Sequence, residues 1–155
     1  MPSGLRQSVV LLLFLLAAFL STAAEAPAAR VVKVLPHYLD REGRHSLSPS
    51  LFDRDAYQAQ LRRNAAERGG LRFDVKWKSK LADPLTLRLE LKGANDGRQT
   101  TATVEAPVAR TGWLGRWTKL SLTTAEFERF GELVAWRASL WQGSTLVSEQ
   151  KSFLW

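Results

Sequence analysis

Leu71-Arg72-Phe73-Asp74-Val75-Lys76-Trp77-Lys78 is the stretch that decides the fold class. Apolar and polar residues alternate through it without a break. Leu71, Phe73, Val75 and Trp77 share one face, and Arg72, Asp74, Lys76 and Lys78 share the other. A period of two marks a strand with one buried side. Leu85 to Lys92 repeats the pattern, with Leu85, Leu87, Leu89 and Leu91 inward and Thr86, Arg88, Glu90 and Lys92 outward. Ala82-Asp83-Pro84 between the two reads as a turn.

Downstream, Asn95-Asp96-Gly97 is a strong turn signal, because these residues tolerate positive φ. A Thr-rich strand follows from Arg98 to Ala106, ended by Pro107, and a short one from Trp117 to Leu122. Thr123-Thr124-Ala125-Glu126 has capping-box spacing and predicts a helical turn that stops at Gly131. The chain finishes as a hairpin, Leu133 to Trp141 and Thr145 to Leu154, around Gln142-Gly143-Ser144. Upstream, Val31 to Leu35 is a strand bounded by Pro36. Between Ser48 and Gly70 lies one helix, over about 53–66, capped by Ser50 or Asp53 and terminated by Gly69-Gly70.

Seven short strands with one apolar face each must bury those faces, and a second sheet does so most economically. The expectation is a seven-stranded antiparallel β-sandwich with one helical insertion between the first two strands. Leu120-Ser121-Leu122, Phe127-Glu128-Arg129-Phe130-Gly131 and Val134-Ala135-Trp136-Arg137-Ala138-Ser139-Leu140 carry a resemblance to immunoglobulin-like or fibronectin-III-like domains over roughly residues 30–155. The Cys pair, the third-strand Trp and the tyrosine corner of that family are missing. The chain also resembles small exported bacterial proteins, a likeness that implies no particular activity.

Residues 1–26 have the layout of a secretory signal peptide: Arg6 near the start, the apolar run Val9 to Leu20, then small residues. Cleavage after Ala23, Ala24 or Ala26 satisfies the small-x-small rule, and leaves residues 27–155 as a single β-sandwich domain. The alternative is an uncleaved membrane anchor, although twelve apolar residues fall short of the roughly 20 that span a bilayer. Loss of Arg6 and Glu25 together leaves the formal charge at +7. The absence of Cys excludes disulfides, thiolate metal sites and cysteine nucleophiles. An exported domain of this kind is held by packing alone.

No G-x-S-x-G elbow, H-E-x-x-H or phosphate-binding Gly-rich loop is present. His37 and His45, with Asp40 and Glu42, are the residues a metal-dependent enzyme would use, but their spacing matches no ligand framework. The expectation is therefore no catalysis, no metal and no cofactor. Thr111-Gly112-Trp113-Leu114-Gly115-Arg116-Trp117 is a candidate binding loop. Trp113 and Trp117, if solvent-facing and coplanar, would stack on a sugar, with Arg116 as a hydrogen-bonding edge; otherwise Trp113 plugs the open end of the sandwich. A candidate basic face combines Arg72, Lys76 and Lys78 with Arg88 and Lys92 on the next strand, interrupted by Asp74 and Glu90. Such a face attracts anionic partners, or is simply solvated. Nucleic acid is excluded as a partner for want of stacking aromatics on that face.

At the C-terminus, Phe153 and Trp155 are expected to seal the last strand into the core, since Glu149 and Lys151 spoil a lipid-facing row. The reading that results is an exported (periplasmic or extracellular), non-enzymatic interaction or structural module without a membrane span after cleavage. Its partner would be another envelope protein or an anionic glycan, and a carbohydrate- or envelope-polymer-binding module is the sharper version.

Overall fold

The computed structural model describes residues 27–111 and 114–155. The stretch 1–26 read as a signal peptide, and Trp113 of the candidate loop, therefore lie outside the described residues. The element order is β1 (Ala29–Asp40), α1 (Leu51–Arg63), β2 (Arg68–Ser79), β3 (Leu85–Asn95), β4 (Arg98–Val108), β5 (Arg116–Ser121), α2 (Thr124–Phe130), β6 (Glu132–Gln142) and β7 (Thr145–Lys151). These seven strands form two antiparallel sheets, β1-β2-β5 and β4-β3-β6-β7.

The alternating faces read from the sequence are the faces that pack. Leu71, Phe73, Val75 and Trp77 of β2 are buried, as are Leu85, Leu87, Leu89 and Leu91 of β3. Phe73 meets Trp136 of β6 edge to face, with ring centroids 6.4 Å apart, so the two sheets touch through their inner side chains. The Val31 N–H donates to Ser148 Oγ at 2.9 Å and links the β1 and β7 edges. Helix α2 lies against one end, with Phe127 and Phe130 in the same core. Its Thr123 cap and the reciprocal Glu126 bond form the capping box, and Gly131 ends it at φ 79°, a left-handed conformation that favours glycine. Gly93 leaves the space that Phe130 fills: a Cβ there would stand 2.6 Å from the ring.

Several boundaries differ from the sequence reading, each for a physical reason. β1 runs through Pro36 and β4 through Pro107. Both are edge strands, where a missing N–H is turned away from the ladder and costs no bond. The turn at 82–84 does not fold β3 back beside β2; it carries the chain from one sheet to the other. Gly69 and Gly70 belong to β2 rather than ending α1, which stops at Asn64. A Cβ on Gly69 would meet the Asp40 carbonyl oxygen at 2.6 Å, so the residue serves a close backbone approach. β7 ends at Lys151, and Phe153 is fully exposed instead of sealing the core.

Helix α1 sits in the link between β1 and β2, and its buried residues explain its position. Leu61 enters the core, while Gln58 covers the open edge of β1. The Tyr38 N–H donates to Gln58 Oε1 at 2.9 Å and Gln58 Nε2 donates to the Tyr38 carbonyl at 2.8 Å. One side-chain amide thus supplies both bonds a neighbouring strand would make. Gln58 Nε2 also donates to the His45 carbonyl at 2.9 Å, which ties the 41–50 loop to the same point. This cover is one of the devices that keep an edge strand from pairing with another chain.

Candidate functional site

The five residues proposed as one basic face belong to two different sheets. Arg72, Lys76 and Lys78 lie on β2, and Arg88 and Lys92 on β3, which pairs with β4 and β6 instead. They therefore decorate the two opposite outer faces of the structure, and those faces differ sharply in charge.

On the outer face of the four-stranded sheet nearly every cation has a partner. Arg88 opposes Glu105 in register and bonds to it at 2.5 Å. Arg137 opposes Glu90, takes both of its carboxylate oxygens at 2.7 and 2.8 Å, and lies 3.8 Å from Glu149. Trp141 lies under the Arg88 guanidinium at 4.6 Å. The terminal Trp155 lies beneath Lys92 at 4.3 Å and Arg137 at 5.1 Å. Arg88 and Lys92 are consumed by local contacts, and Trp155 is outside the core.

The outer face of the three-stranded sheet is built the opposite way. Across β1 and β2, Arg30 stands opposite Lys78 and Lys33 opposite Lys76. Trp117 of β5 continues the second of these rows, and Lys119 lies opposite Asp74 in the next. Among the described residues, none of Arg30, Lys33, Lys76, Lys78 and Lys119 makes an ion pair. The one acid on this face, Asp74, is taken by Arg72, whose Nε and Nη2 both approach it at 3.0 Å. Trp117 is 46% exposed, with the Lys76 ammonium 6.0 Å from its ring centre. An exposed aromatic does stand among these cations, contrary to the sequence expectation, because β5 pairs with β2. Arg116 opposes Trp77 and so falls in the inward row, on the other side from Trp117. The proposed grouping of Arg116 with Trp117 is therefore not formed.

His37 and His45 are brought together, edge to face at 5.2 Å, on the β1 side of this sheet. Asp40 and Glu42 are not turned toward them. Asp40 Oδ2 accepts from the Tyr57 hydroxyl and Arg44 Nε, each at 2.7 Å, and Oδ1 from the Glu42 and Arg44 N–H groups. Glu42 is bound by Arg44 at 2.8 Å. Among the described residues no group of three or more His, Asp or Glu is placed to hold a metal ion. Surface hollows lie between β4 and α2, beside Asp40 and Tyr57, and beside His37 among Tyr38, Arg62 and Leu133. Glu126 in the first is engaged by its Thr123 cap, and Asp40 in the second by its four donors.

The buried His37 does give the fold an acid limit. Burial pushes its pKa down to about 4, opposed by Asp74 at 3.6 Å and reinforced by His45, Arg72 and Arg54. His45 is lowered too, by burial and then by Arg72. An imidazole neutral in the fold binds its proton more readily once unfolded, at a pKa of about 6.5. Stability is then complete above about pH 6.5 and falls as pH drops toward 4, by on the order of 3 kcal/mol. Urea midpoints between pH 7 and 4 should fall in wild type and much less in a His37→Gln variant. A flat wild-type profile would contradict this account.

Comparison with known protein families, with curated proteins and with solved structures finds no match.

Proposed function

We propose that this chain is an exported, non-enzymatic binding module of immunoglobulin-like architecture that takes an anionic partner on the outer face of its β1-β2-β5 sheet. The strand order supports the architecture. Named A to G along the chain, the sheets run A-B-E and D-C-F-G. An immunoglobulin constant domain has A-B-E-D and C-F-G, so only the fourth strand changes sides. The leader-like layout of residues 1–26 supports export. Mass analysis of secreted material should show a chain beginning after Ala23, Ala24 or Ala26, and an intact Met1 in the membrane fraction would overturn the export assignment.

One observation carries the binding function: two successive cross-strand pairs of like charge, Arg30 with Lys78 and Lys33 with Lys76, with no acid to relieve them. Directly opposed like charges destabilise a sheet. The other sheet places Glu opposite Arg in two rows, and where it opposes Arg137 to Lys151, Glu90 and Glu149 relieve the pair; among the described residues no acid does so here. A bound polyanion would remove the repulsion and gain from the focused field. Trp117 adds a flat apolar contact beside Lys76, the geometry that also suits stacking on a charged sugar.

The test separates binding from folding by opposite signs. Lys76→Glu combined with Lys78→Glu creates opposed pairs with Lys33 and Arg30. The double variant should gain about 0.5–1 kcal/mol of stability while losing tenfold or more in affinity for dextran sulfate. Arg88→Gln on the opposite face should leave that affinity unchanged. Wild-type binding should weaken with added salt, as exposed charges are screened. Equal affinity of wild type and the double variant would refute the reading.

A further inference from the structure

We infer that the anionic partner of this face is a lipid surface, on which Leu47, Leu51 and Phe52 insert among the acyl chains while the cations meet the headgroup phosphates. The inference rests on the anion-binding reading above and names its partner.

Three large apolar side chains stand exposed within six residues: Leu47 at 62%, Leu51 at 67% and Phe52 at 81%. Their place in the fold is set by what flanks them. Two residues before Leu47, His45 packs on His37, whose β1 position lies opposite Arg72 on the outer face of the three-stranded sheet. Arg54, in the first turn of α1, and Lys119 of β5 both act electrostatically on His45. The segment therefore enters the helix at the margin of the basic face. Further along, α1 turns inward: Gln58 covers the β1 edge and Leu61 reaches the core. Leu51 continues that buried stripe at helical spacing, past the point where any protein surface covers it, and Phe52 points away from the stripe.

A soluble polymer of dispersed charge gives such a trio no contact. A membrane interface accommodates both sets of groups at once. Apolar side chains sink to the acyl boundary, basic residues pair with anionic headgroups, and a half-exposed Trp such as Trp117 sits at headgroup depth. The C-terminal Phe153 and Leu154 are also exposed. They stand beside the sheet whose arginines are already paired with carboxylates, and so lack the charge half of the device. The mode is adsorption, since no described helix is long and apolar enough to cross a bilayer.

The test uses residues 27–155 with two probes: vesicles of phosphatidylcholine containing about one-third phosphatidylglycerol, and dextran sulfate in solution. Wild type should co-sediment with the anionic vesicles and not with pure phosphatidylcholine. Leu51→Ser with Phe52→Ser, both already in solvent, should lose at least tenfold in vesicle affinity and keep wild-type affinity for dextran sulfate. Lys76→Glu with Lys78→Glu should lose both. If the Leu51, Phe52 variant binds vesicles as wild type does, the insertion is wrong. If wild type binds dextran sulfate and ignores the vesicles, the partner is a soluble polymer, and the lipid inference falls while the anion-binding function stands. If it binds neither, both fall.

Discussion

Replacing Trp77 with alanine is expected to lower stability by about 3–5 kcal/mol, the usual cost of removing a buried Trp. Trp77 is fully buried near the Ser79 end of β2, and its Nε1–H donates to Thr118 Oγ1 of β5 at 2.9 Å. The side chain therefore both fills the space between the sheets and ties two strands of one sheet together. Truncation leaves a cavity that the rigid ladders on either side cannot close. Trp77→Phe keeps most of the volume but strands the Thr118 hydroxyl, and should cost about 1–2 kcal/mol. Urea denaturation measures both, and an unchanged m-value would show that the loss lies in the native state. A loss under 1 kcal/mol in the alanine variant would mean that the two sheets are not packed as described. The proposed anion binding should weaken as well, because Lys76 and Lys78 flank Trp77 and their position depends on β2 staying straight.

Asp40→Ala should cost about 3 kcal/mol, from the loss of four hydrogen bonds to one charged acceptor, two of them from backbone N–H groups. Arg44 is half exposed and regains water, which keeps the cost below that of breaking a fully buried pair. Burial alone would raise the Asp40 pKa; the Tyr57 hydroxyl and the Arg44 N–H and guanidinium outweigh it and bring it down to about 2. A carboxyl depressed in the fold contributes stability above its unfolded value of about 3.9, and loses it as pH falls toward 2. The gap between wild type and Asp40→Ala should therefore close over that window, below the one in which His37 acts. A gap that persists unchanged at pH 2 would show that Asp40 matters for shape and not for charge. Because Asp40 anchors the loop that leads to Leu47, Leu51 and Phe52, the alanine variant should also be cut faster by protease between residues 41 and 50.

Particular residues show how much was legible beforehand. The inward rows of β2 and β3, the two-residue turn at Asp96 and Gly97, and the Thr123–Glu126 cap are all local patterns, and each is found where the sequence placed it. Pro36 and Pro107 misled because a proline ends a strand only when its N–H side faces a neighbour, and neighbours are invisible in a local window. The basic face expected across β2 and β3 is divided between two sheets for the same reason. Lys76 and Lys78 were found by alternation, but Arg30, Lys33, Lys119 and Trp117 join them only through the β1-β2-β5 pairing. The start of β1 offered one clue, in that its two cations, Arg30 and Lys33, bracket Val31 and Val32.

The sequence by itself determined which side of each strand is apolar, where the chain turns, and that one seven-strand arrangement would be closed by packing without disulfides. Periodicity and turn chemistry suffice for those, since they depend on residues a few positions apart. Only the tertiary structure decided that consecutive strands β2 and β3 lie in different sheets, and hence that on one outer face most cations meet carboxylates while on the other, among the described residues, most do not. Charge on a sheet face is a property of cross-strand rows, and a row joins residues as far apart as Lys33, Lys76 and Trp117.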